Sequence, residues 1–457
     1  MKNKRVVVCL KYFKGELNPF DGAALECALE NGFEDIIALT MAPASTLSAF
    51  QSLTRLGVRC VMLSDPLYAG SDTQATSLVL SEAIKRLDPD FVFCGRQSVD
   101  GDTAQVPPMI AKRLGFSIGA KVMEMSGESV TLRSGEKLIL REKAVLTFEK
   151  IRTLRFPSIF SKAGRAEVWD NGIMNIPREK CGLQGSPTRV IKSYESSVGR
   201  RNCVFVQPSE LKALIENGLK KPLVGEEKPS GEKLETAYFV GNVKQITESI
   251  AKRAIEIHAE NKTAEEIAKE IQSVKAVAVL WEDSEKFKIL SSQVAVLTGA
   301  GICADCISFR VENGKLIMTR PALGGNVTAD IVCESETAFA TVRTAKQDGA
   351  DVIISVGKGA IEEIEKIKTL AEIYGAEVCC TRIVADSGRL PYEKQVGLTG
   401  RTVSPKVYVA FGISGAVQHT CAISGAGTVI AVNNDKNARI LDYADYGIIA
   451  EVKNVEL

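Results

Sequence analysis

Short apolar runs alternate with glycine-rich turns over residues 394–451, and no other feature of the sequence constrains the fold as strongly. The alternation predicts a buried strand at 406–411, a tight turn at 412–415, a helix at 416–422 and a second strand at 428–432. This order is typical of a parallel sheet wound by helices. Ligands bind such sheets at the turns that follow the strands, and the free N–H groups of a helix start hold anions. The stretch therefore predicts a nucleotide site, with the adenine or ribose near 433–435.

Three ordered motifs in this stretch resemble the FAD-binding signature of electron transfer flavoprotein alpha subunits. They are the loop QVGLTG at 395–400, the turn GISGAVQH at 412–419 and the strand end AVNND at 431–435. Upstream, Thr381-Arg382 resembles the family's Ser-Arg pair, whose guanidinium lies over the flavin and favours its reduced, anionic form. The FAD-binding residues that the resemblance implies are Lys358, Thr381, Arg382, Gln395, Val396, Gly397, Leu398, Thr399, Ser414, Gly415, Ala416, Val417, Gln418, His419, Asn433 and Glu451.

The resemblance also implies a role for each part of that set. Residues 396, 397 and 399 line the flavin, residues 414–418 hold the pyrophosphate and the ring edge, His419 faces a flavin carbonyl and Asn433 contacts the adenosine. Two positions depart from the family, since Lys358 stands where an arginine is usual and Glu451 where an aspartate is usual. Lysine keeps the charge but loses the fork of the guanidinium. A hydrolase nucleophile at Ser414 is not supported, because Ala416 replaces the second glycine of that motif.

Composition narrows the class of protein. The 457 residues are 45% hydrophobic and 25% charged, enough for two or three cores, and 57 Lys and Arg balance 56 Asp and Glu. Because the charges balance, the chain has no overall positive electrostatic field that would attract nucleic acid or an acidic membrane. No apolar run has the length of a membrane span, and the run at 6–10 is too short for a signal peptide. Twelve scattered cysteines predict a reducing, cytoplasmic location, and the pair Cys303 and Cys306 lacks the second pair that a zinc site needs.

The first hundred residues alternate strand and helix in units of about 25 residues, a pattern that predicts a doubly wound parallel sheet. We expect strands at 5–10, 36–41, 60–63 and 91–94, and helices at 23–31, 45–56 and 72–87. Polar motifs follow these strands or begin these helices, at the edge of the sheet where nucleotides bind. The residues that these motifs contribute are Asn18, Asp65, Asp72, Thr73, Gly95, Asp100, Asp102, Thr103, Ala104, Gln105 and Val106.

These motifs resemble the electron transfer flavoprotein beta subunit, and so does the later run GSPTR at 185–189. The family's beta site holds either a structural AMP or, in electron-bifurcating members, a second FAD. The form GDTAQV at 101–106 is typical of bifurcating members and favours FAD. The family's long hairpin after the first strand is shortened here to 11–17, which weighs against bifurcation with NADH. An alternative interpretation is that Asp72 and Asp102 cap helices without any ligand.

Residues 155–165 occupy the place of the beta subunit's partner-recognition loop. Ile159 falls where the family has an exposed aliphatic anchor for a redox partner such as an acyl-CoA-type dehydrogenase. An exposed apolar side chain on a basic loop suits docking. The alternative is that Ile159 and Phe160 pack into the sheet.

The chain thus resembles a beta subunit fused ahead of an alpha subunit, and we predict four parts. They are a nucleotide-binding domain at 1–195, a linker with a helical arm at 196–262, a shortened first alpha-subunit domain at 263–345 and an FAD-binding domain at 346–457. Apolar residues at helical spacing predict that the arm is an amphipathic helix over 243–261. The fold class is α/β with doubly wound parallel sheets. The predicted function is electron transfer through FAD, and the alternative is a regulatory module that binds an adenine nucleotide without redox chemistry.

Overall fold

The computed structural model describes residues 1, 3–195, 200–220, 232–323, 327–343, 350–397 and 400–455. In it the chain divides into two compact units, each assembled from separate stretches. The first consists of Met1–Ser193, Pro229–Leu323 and Ala329–Val342, and the second of Tyr194–Lys228, Gly324–Thr328 and Arg343–Leu457. Within the described residues, no helix combines the length and the apolar character needed to cross a bilayer.

The N-terminal part of the first unit alternates strands and helices as predicted. Its central strands are apolar on both faces because helices cover both sides of the sheet. The predicted helix at 45–56 is shorter than expected, with 3₁₀ turns on either side of it. The elements are β1 (Arg5–Leu10), β2 (Tyr12–Phe13), β3 (Glu16–Leu17), α1 (Pro19–Glu30), β4 (Asp35–Met41), α2 (Leu47–Gln51), β5 (Arg59–Leu63), α3 (Thr73–Leu87), β6 (Phe91–Gly95), α4 (Val106–Leu114), β7 (Ser117–Ser126), β8 (Ser129–Leu132), β9 (Lys137–Ile139), β10 (Ala144–Phe148), β11 (Glu167–Trp169) and α5 (Asn171–Met174).

Nine of these strands form one sheet, in the order β11-β5-β4-β1-β6-β10-β7-β8-β9, while β2 and β3 pair as a separate hairpin. The chain runs outward from β1 through β4 to β5 and then returns to β6 on the other side of β1. Both neighbours of β1 are parallel to it. The order of strands therefore reverses between β1 and β6, and open α/β sheets bind ligands at such a reversal.

The middle of the chain forms two further sheets. A parallel sheet has the order β15-β14-β16-β21-β17, and a four-stranded sheet has the order β12-β20-β19-β18. The elements in chain order are β12 (Thr188–Glu195), β13 (Val204–Val206), α6 (Leu211–Lys220), β14 (Leu234–Val240), α7 (Lys244–Ile250), β15 (Ala251–Glu256), α8 (Ala264–Ser273), β16 (Ala278–Glu282), α9 (Glu285–Thr298), β17 (Gly301–Cys306), β18 (Ser308–Glu312), β19 (Lys315–Ala322), β20 (Val327–Cys333) and β21 (Ala338–Val342).

The predicted amphipathic helix over 243–261 is wrong. The segment contains the short helix α7 and then β15, which pairs in parallel with β14 at the edge of the middle sheet. Ile250 and Ile257, spaced as on one helical face, lie in hydrophobic clusters of different composition around this sheet. The predicted boundary at 262 therefore falls within one sheet, and the glycines at 225 and 231 that suggested a linker lie outside the described residues.

The second unit is built on a six-stranded parallel sheet. Its predicted strands are confirmed to within a residue, because each is a short apolar run between turn residues. The new elements are β22 (Val352–Val356), α10 (Ile364–Ile373), β23 (Glu377–Cys380), α11 (Arg382–Asp386), β24 (Val407–Phe411), α12 (Val417–Thr420), β25 (Thr428–Asn433) and β26 (Tyr446–Ile449). The strand order is β13-β26-β25-β24-β22-β23, so β13, from the predicted linker, forms one edge.

A buried tyrosine and histidine join β24 to the loop that follows β23. The Nε2 atom of His419 lies 2.8 Å from the hydroxyl of Tyr408, and its Nδ1 atom lies 3.1 Å from the carbonyl oxygen of Val396. A neutral ring satisfies both contacts, with Nδ1–H donating to the carbonyl and Nε2 accepting from the hydroxyl. Burial lowers the pKa of His419 to about 4.

Protonation of His419 should destabilise the fold. Its pKa falls from an ordinary value of 6.5 to about 4, so the unfolded chain binds this proton first, and stability should decline as the pH falls from 6.5 towards 4. The full effect is up to ~3 kcal/mol. Chemical denaturation at pH 7 and pH 5 should show a smaller pH-dependent loss in His419→Gln than in the natural protein. The matched control is His258→Gln, since that side chain is 78% exposed; an equal pH dependence in all three proteins would contradict the assignment.

Candidate functional site

The second unit brings the predicted FAD-binding residues to one edge of its sheet. All five strands that precede them are parallel, so their carboxyl ends meet at that edge. The loop at 395–397 joins the same edge, because the N–H of Val396 donates to the carbonyl of Cys380 at 2.8 Å. Leu398 and Thr399 lie outside the described residues. Lys358 follows β22, Thr381 and Arg382 follow β23, Ser414, Gly415, Ala416, Val417, Gln418 and His419 follow β24, Asn433 ends β25 and Glu451 follows β26.

Two glycine turns at this edge touch each other. The N–H of Gly359 donates to the carbonyl of Gly412 at 3.0 Å. A Cβ atom on Gly357 would lie 2.2 Å from the carbonyl oxygen of Gly412, which itself has a φ of +60°. The turns can approach this closely only because neither carries a side chain. Lys358 lies between two of these glycines and is exposed, so its ammonium group is available to an anionic ligand.

Asn433 ties the turn after β24 to the end of β25. Its side chain is 7% exposed, its Nδ2 donates to the carbonyl of Ile413 at 2.8 Å, and its Oδ1 accepts from the N–H of Asp435 at 3.0 Å. Both halves of the amide are therefore engaged within the protein. The structure gives Asn433 a role in holding the turn, while its contact with adenosine stays a prediction.

Thr381 and Arg382 begin α11 at the same edge. The Nε atom of Arg382 donates to Asp386 at 3.3 Å, and the arginine side chain is 30% exposed. The hydroxyl of Thr381 is buried and has no hydrogen-bond partner among the described residues. Buried hydroxyls are normally paired, so an unpaired one is unusual here, and the predicted contact of Thr381 with FAD stays a prediction.

The helix predicted at 416–422 is shorter than expected: α12 has only four residues, Val417–Thr420. The carbonyl of Ala422 accepts from the N–H of Val403 at 2.9 Å and not from the next turn of a helix. A long helix with a strong N-terminal anion site is therefore absent from this position in the described chain. Exposed and buried residues instead alternate from Ser414 to His419, with Ser414, Ala416 and Gln418 on the outer side.

The hydrogen bonds of the His419 ring bear on two sequence interpretations, its contact with a flavin carbonyl and a hydrolase triad with Ser414. Both ring nitrogens contact protein atoms, so the predicted contact with a flavin carbonyl would require one of these bonds to be given up. The same bonds argue against a hydrolase triad, because the imidazole is directed to Tyr408 and Val396 and not to Ser414.

The first unit contains a cavity of about 430 Å³ at the strand-order reversal between β1 and β6. Eight of the residues predicted for a nucleotide line it: Asn18, Asp72, Thr73, Gly95, Thr103, Ala104, Gln105 and Val106. Sequence reasoning missed the opposite wall, which comes from the middle of the chain and includes Ile302, Cys303, Ala304, Arg320 and Ile331. The volume lies in the range of small-molecule sites.

Arg320, on β19, is the strongest indication of what the cavity holds. Its side chain is 7% exposed, and its Nε and Nη2 atoms are buried without a hydrogen-bond partner in the described part of the chain. The Nε2 atom of Gln105 and the Oδ1 atom of Asn18 are unpaired in the same way. A buried guanidinium with two unpaired nitrogens is costly, so this arrangement favours an anionic ligand that also has hydrogen-bonding groups.

The predicted acidic residues of this site are mostly occupied by protein contacts. Asp72 caps α3 through the N–H groups of Gln74 and Ala75, and its other oxygen accepts from Thr188. The predicted capping is therefore present, while the role of Asp72 towards a ligand stays a prediction. Asp65, Asp100 and Asp102 do not line the cavity. Asp65 caps a 3₁₀ turn, Asp100 pairs with Lys11 at 2.8 Å, and Asp102 accepts from Gln97 at 2.9 Å.

The loop at 155–165 projects its apolar side chains outward. Ile159 is 85% exposed and Phe160 is 87% exposed, so the interpretation that they pack into the sheet is wrong. Arg155 anchors the start of the loop through an ion pair with Glu26 at 2.7 Å. The geometry leaves a clustered apolar surface on a tethered loop.

Cys303 and Cys306 are buried in β17, and the Cys306 thiol contacts the Cys303 carbonyl at 3.5 Å. Among the described residues, no cluster of three potential metal ligands occurs. These two cysteines are therefore core residues of the middle sheet, with Cys303 also in the cavity wall.

Comparison with known proteins finds matches to both the N-terminal and the C-terminal parts of the chain. The electron transfer flavoprotein domain matches the chain twice, at residues 6–145 and 244–369. The electron transfer flavoprotein FAD-binding domain matches residues 347–424, which include most of the strand-end residues of the second unit.

Individual relatives match parts of the chain. Protein FixB of Clostridium saccharobutylicum is 35% identical over 36% of this chain and 64% of its own length. Protein FixA of Azorhizobium caulinodans is 36% identical over 42% of this chain and 78% of its own length. The acryloyl-CoA reductase electron transfer subunit beta of Anaerotignum propionicum is 34% identical over 34% of this chain, which spans 56% of that protein. Because the electron transfer flavoprotein domains together cover more than half of its residues, the chain belongs to the electron transfer flavoprotein family, with beta-like and alpha-like parts joined in one polypeptide.

Proposed function

We propose that this protein carries electrons between redox proteins through FAD held by the second unit. The observation that supports this most directly is the convergence of five strand ends at one edge, within the segment that matches the family's FAD-binding domain. When bound there, FAD would supply one- and two-electron chemistry. The residues of the chain would bind and orient it, with the Thr381 hydroxyl and the Lys358 ammonium offering hydrogen bonds to polar groups.

Arg382 is proposed to set the electrostatic environment of that flavin. A nearby cation stabilises the added negative charge of a reduced flavin. Arg382→Ala should therefore lower the midpoint potential by on the order of 20–40 mV while FAD binding is retained. Spectroelectrochemical titration of the reconstituted protein measures this. Arg389→Ala is the control, because that exposed arginine pairs with Glu362, and an unchanged potential in Arg382→Ala would refute the proposed role.

We further propose that the cavity of the first unit holds a second nucleotide, FAD or AMP. The two unpaired nitrogens of the Arg320 guanidinium would bind its phosphate, and Gln105 and Asn18 would bind its polar groups. The apolar residues Ile302 and Ile331 also line the cavity. This apolar lining favours FAD, whose flavin is an additional apolar group, over AMP.

Replacing Arg320 should empty this site alone. We expect two nucleotides per chain after denaturation and chromatography of the natural protein, and one FAD in Arg320→Ala, since a lost charged hydrogen bond weakens binding roughly 10- to 100-fold. Arg253→Ala is the control, because Arg253 is exposed on β15 of the same unit. One FAD and no other nucleotide in the natural protein would refute the second site, and release of AMP would identify it as the structural form.

The identity of the second nucleotide determines whether electron bifurcation is within reach of this protein. Two flavins in one chain are the minimum that flavin-based electron bifurcation requires, whereas AMP leaves a simple carrier. The hairpin of β2 and β3 is short, and a hairpin shorter than the family's weighs against bifurcation with NADH. We also propose a cytoplasmic location, supported by twelve cysteines that are all free thiols.

The partner is proposed to be a redox enzyme of the acyl-CoA dehydrogenase or reductase type, docked on the loop at 155–165. Ile159→Glu should slow electron transfer from such a partner about tenfold or more at low concentration, because exposed apolar anchors dominate docking energies. Stopped-flow flavin absorbance measures the rate. Ile139→Glu is the matched control, since Ile139 is 56% exposed on β9 away from this loop; equal rates in both variants would exclude the loop as the docking surface.

A further inference from the structure

Asp21 is a buried carboxylate in the wall of the first unit's cavity. It lies in the first turn of α1 and is 6% exposed. Its Oδ2 atom accepts from the N–H of Lys11 at 2.7 Å, and its Oδ1 atom accepts from the N–H of Gly95 at 2.9 Å. Lys11 follows β1 and Gly95 ends β6, so one carboxylate holds together the two strand ends between which the cavity opens.

Asp21 and Phe20 pack directly against Gly95 at the end of β6. A Cβ atom on Gly95 would lie 2.2 Å from Oδ1 of Asp21 and 2.7 Å from Cβ of Phe20. Position 95 must therefore be glycine for the carboxylate to reach the end of β6. The carboxylate is thus held against the ends of β1 and β6 in the lining of the cavity.

Burial dominates the electrostatics at this position. It raises the pKa of Asp21 to about 7, against the opposing effects of the Lys11 N–H, the Asn18 side chain and the Gly95 N–H. The ammonium group of Lys11 is 2.8 Å from Asp100, and no described residue forms an ion pair with Asp21 itself. The titratable or charged groups that surround it are Lys11 and Tyr12 after β1, Cys94 on β6, and Arg96, whose guanidinium lies over the ring of Phe20.

We propose that Asp21 is a positioning residue that takes up one proton when an anionic nucleotide enters this cavity, so that binding here weakens as the pH rises. The inference rests on the proposed second nucleotide site. A ligand in the cavity removes the remaining water and brings negative phosphate oxygens, and both changes disfavour a charged carboxylate. The protonated group can still accept from both backbone N–H groups through its two oxygens, and its O–H can then donate to the ligand. The proton comes from bulk solvent.

Calorimetric titration tests the proposed proton uptake. FAD is titrated into the full-length protein from which bound nucleotides have been removed. FAD is the appropriate probe because its pyrophosphate has no terminal phosphate group, whereas the phosphate of AMP itself titrates near pH 6. The first-unit binding event is identified as the one lost in Arg320→Ala. We expect its affinity to fall about fivefold between pH 6 and pH 8, which is what a rise of one unit in the pKa of Asp21 from about 7 produces over that range. Titrations in two buffers of different ionisation enthalpy should show uptake of up to one proton per chain at pH 7–8 and none at pH 5.

Asp21→Asn should abolish both the proton uptake and the pH dependence. Asp65→Asn is the matched control, because Asp65 also accepts from two backbone N–H groups, those of Leu67 and Asn171, but lies outside the cavity lining. Proton uptake that persists in Asp21→Asn would overturn the inference. If Asp21→Asn does not fold, the natural protein alone tests the inference. Absence of proton uptake on FAD binding at every pH would also overturn the inference. Binding of a single FAD by the natural protein would instead refute the second site.

Discussion

Parallel pairing of strands is the interaction on which both candidate sites depend. In the second unit, five parallel strands end at one edge, so residues from 358 to 451 become neighbours although almost a hundred positions separate them. In the first unit, the same pairing places the ends of β1 and β6 side by side at the reversal of strand order. Backbone hydrogen bonds in the sheets thus position side chains that come from loops with little structure of their own.

Close backbone contact between loops then shapes the edge of the second unit. The turns at 357–359 and 412 meet through glycine, and the amide of Asn433 holds the second turn against β25. Tyr408, His419 and the carbonyl of Val396 add a buried hydrogen-bonded link to the loop after β23. Such contacts make the site rigid before a ligand arrives, which reduces the ordering cost of binding.

The first unit combines two parts of the chain that are distant in sequence. Its cavity has one wall from the N-terminal sheet and another from β17, β19 and β20 of the middle segment. The buried charged groups there differ in their hydrogen bonding. Asp72 accepts hydrogen bonds as a helix cap, and Asp21 accepts from two backbone N–H groups. In contrast, two nitrogens of Arg320 have no hydrogen-bond partner within the described chain. The contrast is what points to an anionic ligand beside Arg320.

The sequence by itself determined the α/β class, the positions of the central strands of the first and last sheets, and the family, because short apolar runs and glycine turns specify strands locally and the motifs keep their order. It also located eight residues of the first-unit cavity. Tertiary structure alone decided that 251–256 is a strand, because pairing with β14 outweighs a helical spacing of apolar residues. It alone decided that Ile159 is exposed, that His419 bonds to Tyr408, and that Arg320 lines the same cavity as Asp72 and Gln105. No local pattern encodes which distant segments come together in this way.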